Sequence, residues 1–183
     1  KRCVGVKFTQ KGKEHEILAG KEVVLSGGAV NSPHILQVSG IGPQEHLQSI
    51  GINTLHDLPG VGQNLQDHYV SRKSHRVKNT DSINQLSRGI RLLREIGSWA
   101  FQGKGALTFG ITSAMVFSRS REGLSSPDIQ LLFTPASYSQ KTHGELEKEG
   151  GMTVVVCPVR PSSRGTIMAK SSDPFIRPLI RPN

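Results

Sequence analysis

With 183 residues, 35% of them hydrophobic, the chain is long enough to bury a core, and no stretch reaches the roughly 18 consecutive apolar residues of a membrane span. Its two cysteines, Cys3 and Cys157, lie far apart in strand-like runs, which argues against a disulfide framework or a zinc site and reads as two buried free thiols. The net charge of +9 raises nucleic-acid binding, but the densest basic stretch, residues 72–78, has no interleaved aromatics and no nucleic-acid-binding motif around it, so it is read as a solvated strand face.

In chain order, residues 3–9 and 15–18 have strand composition and flank the polar turn at 10–13, which predicts a hairpin. Residues 22–26, Glu-Val-Val-Leu-Ser, form a β-branched run expected as a buried strand. Gly27, Gly28 and Ala29 follow with almost no side-chain bulk. Ser32 is placed as an N-cap with Pro33 at the first helical position, so a helix is expected from His34 to a stop at Gly40, with free N–H groups that suit an anion. A second short helix is expected over 43–50, ended by Gly51. Pro59, Gly60 and Gly62 then exclude regular structure and mark a passage between domains.

From Ser82 onward, Ile83, Leu86, Ile90, Leu93 and Ile96 recur at steps of three and four, predicting one amphipathic helix with Gly97 as a candidate cap. The break at 102–105 carries two glycines but no G-x-x-x-x-G-K-[ST] pattern, and it follows a helix, so it is a connection and not a phosphate loop. The last third holds four runs of sheet composition, at 114–117, 129–133, 152–157 and 166–169, for which an antiparallel sheet is the natural arrangement. Residues 137–151, carrying His143 and several charges, read as an exposed excursion between the second and third of these.

Two runs carry most of the functional information. Residues 28–43 read G-A-x-x-S-P-x-x-L-x-x-S-G-I-G-P, and residues 57–68 read D-L-P-G-V-G-x-N-L-x-D-H. Together they resemble the glucose-methanol-choline (GMC) oxidoreductase family, and within it the choline dehydrogenase-like branch. Residues 161–167, 171–174 and 178–183 are similar to a later, substrate-domain segment of the same family. The resemblance implies a mixed α/β (α+β) fold: part of an FAD-binding Rossmann-like domain, followed by a substrate domain with a mostly antiparallel sheet and flanking helices. It divides the chain into a partial FAD-binding domain with its connecting loop at 1–68 and a partial substrate-binding domain at 69–183.

What the resemblance implies chemically is FAD-dependent oxidation of the CH–OH group of a primary alcohol such as choline, with hydride passing to the flavin. The partners are then a small-molecule alcohol and an electron acceptor that no residue here specifies. Members of the family open with a G-x-G-x-x-G turn and close with a catalytic histidine paired with a second histidine or an asparagine. Neither occurs here, so the chain is expected to be an internal piece, inactive alone and without catalytic residues of its own. Two alternatives stay open: a flavin-containing lyase of the same family, and a noncatalytic truncated binding module.

Ser26, Gly27, Gly28 and Ala29 are the candidate cofactor contacts, since small residues at a strand end let a flavin approach the main chain; the plain alternative is a simple turn into a helix. Ser32 is chiefly a cap. Asn64, Asp67 and His68 form the densest polar group, but neighbours in sequence rarely converge on one reacting atom, and a structural role in the loop is favoured over an acid-base pair. His15, His34, His46, His56, His75 and His143 show no metal-binding spacing, and no G-x-S-x-G elbow is present. Arg160 and Arg164 are expected to brace the turn between them. A trimethylammonium substrate would need an aromatic or acidic cage, for which Trp99, Tyr69 and Tyr138 are the aromatic candidates.

Overall fold

A computed structural model describes residues 2–139, 142 and 144–183. The chain divides into two compact units, one made of the residues up to Gln66 together with Ser163–Asn183, the other of Asp67–Ser162. The sequence reading divides the chain once, after residue 68; by compactness it crosses after 66 and returns after 162, because the last segment pairs with the first.

In the first unit, β1 (Gly5–Gln10) and β2 (Lys13–Leu18) form the expected antiparallel hairpin, with Gly5 opposite Leu18. Lys11 and Gly12 both take positive φ at its tip, the backbone twist that a two-residue hairpin turn demands. Residues 22–26 do not form the expected strand. They carry no strand assignment, and Val24 is 76% exposed. β-branched composition suits a pleated surface but makes no strand without a neighbour to complete the ladder, and no strand among the described residues pairs with this run.

The first helix also differs from expectation. α1 spans Gly28–Val38, with Gly27 as its N-cap, so Ser32 and Pro33 lie within the helix and not at its start. Gly28, at φ +75°, lets the chain enter the helix directly from the glycine pair. Pro33 keeps a helical φ and gives up only its N–H bond to the turn before it. The helix ends as expected: Gly40 takes φ +82° just past the cap, and its N–H returns to the Gln37 carbonyl at 2.9 Å.

β3 (Ile41–Gly42), α2 (Gln44–Ser49) and β4 (His56–Asp57) follow, with β3 and β4 paired in parallel. The Asp57 carboxylate accepts the Gln44 N–H at 3.0 Å and so caps α2 from the far end of this small unit.

The second unit is built on a four-stranded antiparallel sheet. It contains β5 (Ser71–Arg76), β6 (Ala114–Ser118), β7 (Ile129–Thr134) and β8 (Gly151–Pro158) in the order β5-β8-β7-β6. The basic stretch falls on edge strand β5, all of whose residues are exposed, as the solvated-strand reading expects. Instead of one continuous helix, α3 (Ile83–Leu86) and α4 (Gly89–Gln102) are separated at Ser87 and Arg88. A capping box between Ser82 and Gln85 starts α3, and Gly103 at φ +63° ends α4, five residues beyond the expected neighbourhood of Gly97.

The excursion at 137–151 is not wholly exposed. Asn84 is fully buried; its amide donates to the Ser137 and Glu147 carbonyls at 2.8 and 3.0 Å and its oxygen accepts the Ser137 N–H at 2.9 Å, which pins both ends of the segment. His143 lies outside the described residues. Cys157 is buried as expected; Cys3 is exposed and precedes β1, because the strand begins only at Gly5.

Returning to the first unit, β9 (Thr166–Met168) pairs antiparallel with β10 (Leu179–Arg181). The buried apolar side chains of this unit are Leu47, Ile52, Val61, Ile167 and Ala169, so its core sits between α1, α2, the loop after β4 and β9.

Candidate functional site: a clamped loop at the start of a helix

The two motif runs meet through a third segment. Fully buried Gln37, on α1, donates to the Ile167 carbonyl at 3.0 Å and accepts the Ala169 N–H at 2.7 Å, acting as a short extra rung along β9. The Ile167 N–H donates to the Gly62 carbonyl at 2.7 Å, and Leu65 and Gly165 exchange a pair of backbone bonds at 2.9 and 2.8 Å. His46 Nε2 adds a bond to the Ala169 carbonyl at 2.9 Å. Gly62 has φ +80°, and a Cβ there would collide with the Ile167 carbonyl oxygen and lie 2.7 Å from Gln37 Nε2. Glycine is therefore required at 62 both for its conformation and for the closeness of its neighbours.

This clamp leaves a cavity of about 370 Å³, lined by Ala29 and Pro33 of α1, residues 62–66 of the loop and Ile167 of β9. At its α1 side, Ser26, Gly27, Gly28 and Ala29 are all exposed. No side chain caps the start of α1, no acidic residue stands in its first turn, and a Cβ placed on Gly28 would meet nothing within 4 Å. Free N–H groups at the positive end of a helix dipole, with open space in front of them, form an arrangement that accepts an anion such as a phosphate.

The other sequence candidates have local duties. Asn64, in the first unit, takes φ +63°, a loop conformation that asparagine tolerates. In the second unit, Asp67 accepts the N–H of its neighbour His68 at 2.8 Å, while His68 Nε2 donates to the Val159 carbonyl at 3.2 Å and its Nδ1 faces Cys157 Sγ at 3.9 Å. The Asp67 carboxylate and the His68 ring are thus engaged with different partners. Arg160 donates to Ser126 Oγ and Arg164 to the Ser163 carbonyl, both at 2.9 Å. Trp99 and Tyr69 are exposed, and Tyr138 is half-buried. Sequence reasoning missed Gln37 and Asn84; their signal was a single amide side chain set among apolar helix positions.

Residues 1–70 match the family model of the GMC oxidoreductases. Over 186 residues the chain is 39% identical to the mitochondrial choline dehydrogenase of Homo sapiens, an alignment that takes in 100% of this chain and 30% of that protein. The chain belongs to the GMC oxidoreductases. This GMC chain is also 40% identical over 189 residues to an oxygen-dependent choline dehydrogenase of Photobacterium profundum, covering 100% of the chain and 32% of the relative. A solved Aspergillus oryzae formate oxidase, studied for its FAD modification, superposes with a TM-score of 0.84 at 29% identity, over 100% of this chain and 36% of the oxidase. The GMC chain thus spans about a third of the length of the curated relatives it matches.

Proposed function

We propose that this GMC chain supplies one wall of a flavin cleft and the sheet that shapes a substrate pocket in an FAD-dependent oxidoreductase acting on primary alcohols such as choline. The observation that carries the reading is the uncapped, uncrowded start of α1, where Ser26, Gly27, Gly28 and Ala29 leave main-chain donors accessible beside the 370 Å³ cavity. These residues fit the pyrophosphate side of FAD, which needs N–H donors and close backbone approach. Bound FAD supplies the hydride acceptor.

The chain's own contribution is positional. Gln37 and Gly62 fix the loop against β9, the loop and Pro33 bound the cavity, and α1 presents its N–H groups to an anion. By likeness to the family, the second unit takes the substrate role, and none of its residues is assigned the abstraction of the hydroxyl proton.

The direct test replaces the matching segment of the Photobacterium choline dehydrogenase with these 183 residues. The chimera is expected to purify with flavin absorbance and to bleach anaerobically when choline is added. A folded chimera without FAD would defeat the cofactor reading. One that holds FAD but is bleached by no alcohol would defeat the oxidoreductase reading and favour flavin-containing lyase chemistry.

A further inference from the structure

A second cavity, of about 400 Å³, lies wholly within the second unit and falls in the range of roughly 300–1,000 Å³ typical of small-molecule sites. Its walls include Ile83 and Leu86 of α3, Ala106, Phe109 and Pro135, and two carboxylates, Asp81 and Glu95, also face it. The two acids differ. Arg91 Nη1 reaches Asp81 Oδ1 at 2.6 Å and neutralises it, whereas none of the ion pairs among the described residues involves Glu95.

Glu95 is nevertheless held firmly. Its Oε2 accepts the Ala106 N–H at 2.6 Å, and Gly105, at φ +97°, has no Cβ to crowd it, since one there would stand 2.5 Å from that oxygen. A charged hydrogen bond of this kind fixes the carboxylate at the cavity wall while leaving its charge unpaired by any cation.

We propose that this cavity binds a quaternary ammonium group, with Glu95 supplying the opposite charge and Phe109 with the aliphatic wall receiving the methyl groups. The chemistry is selective. An anion is repelled, a primary ammonium loses hydration that the apolar wall cannot replace, and a methylated cation satisfies both the charge and the wall. The inference deepens the alcohol reading above and rests on it for naming choline as the ligand; cation binding itself requires no flavin.

The test is calorimetric titration of the purified 183-residue chain with tetramethylammonium, choline and the uncharged choline analogue 3,3-dimethylbutan-1-ol at constant ionic strength. Choline is expected to bind the unsubstituted chain at least tenfold more tightly than its neutral analogue. Glu95→Gln keeps an oxygen to accept the Ala106 N–H, so it should preserve the circular dichroism and Tm; it should weaken tetramethylammonium at least tenfold and leave the neutral analogue unchanged. Leu86→Trp, which fills the cavity, should abolish all three.

Absence of saturable tetramethylammonium binding, equal affinity for choline and its neutral analogue, or an unchanged affinity in a folded Glu95→Gln protein overturns the proposal. The flavin chimera separates this outcome from the broader reading. Choline-dependent bleaching with no cation site here leaves the oxidoreductase assignment standing, and a cation site in a chimera without FAD leaves this one standing.

Discussion

At the scale of single residues, Gln37 is the side chain on which the first unit most depends. Gln37→Leu preserves bulk but leaves the Ile167 carbonyl and the Ala169 N–H unpaired in a buried setting, at about 1–3 kcal/mol each. A fall in the urea midpoint corresponding to about 2–4 kcal/mol is expected, and a change under 0.5 kcal/mol would show that the clamp carries no weight. Asp128 offers a pH-linked counterpart. The Ser120 hydroxyl, then the Ser120 N–H, donate to its carboxylate at 2.7 Å each and hold its pKa below the usual aspartate value, with Arg121 adding a smaller pull. Because the folded-state value is depressed, the stability from this contact is complete above the unfolded-state pKa and is lost as pH falls through the folded-state pKa. Side-chain NMR should find Asp128 titrating below ordinary aspartates, and Ser120→Ala should move it upward; no movement would mean that another donor holds the charge. The glycines at 28 and 62 were legible in the sequence because their chemistry is local. Gln37 was not, since its partners lie about 130 residues away and only the fold brings them near.

At the scale of elements, α1 and the loop after β4 carry the next two predictions. Gly28→Val would force a β-branched residue into φ +75° and set a side chain in front of the free N–H groups, whereas Asp67→Asn can still accept the His68 N–H. In the flavin-loaded chimera, Gly28→Val should lower the ratio of flavin absorbance to protein far more than Asp67→Asn; equal ratios would remove Gly28 from the cofactor wall. Gly62→Ala should cost about 2–4 kcal/mol, from the positive φ together with overpacking against Ile167, and thermal melts would show it. The hairpin, α2 and the strands of the four-stranded sheet were readable because their signals are turn chemistry and β-composition. The start of α1 was not: Ser32-Pro33 is a strong local start signal, but a glycine pair upstream opened the helix earlier. The break between α3 and α4 was hidden for a related reason, since the apolar period runs through Ser87 and Arg88 although the backbone does not. Residues 22–26 show the opposite failure, with strand composition present and the neighbour missing.

At the scale of the whole molecule, the apolar surface left in solvent is the dominant fact. On α4, Ile90 is 78% exposed and Phe101 90% exposed, and edge strand β6 adds Met115, Val116 and Phe117. A protein with such faces is expected to associate. The purified 183-residue chain should therefore bind the dye ANS and scatter light increasingly with concentration, and it should hold FAD far more weakly than the chimera does. Stoichiometric tight FAD binding by a monodisperse sample would refute this. The candidate flavin wall was visible in the sequence through its motif; the cavity at Glu95 was not, because it joins α3, the end of α4 and the segments flanking the sheet.

The return of the last segment to the first unit also has a temporal side. During synthesis, Gln37 and Gly62 emerge from the ribosome roughly a hundred residues before Ile167 and Ala169, the groups that complete them. At about 5–20 residues per second, the nascent first unit waits roughly 5–20 s with its inner amide and loop carbonyl still wet, while the whole second unit is made. That interval far exceeds the microseconds in which a hairpin forms, so the second unit has time to fold as an insert before the first can close around β9.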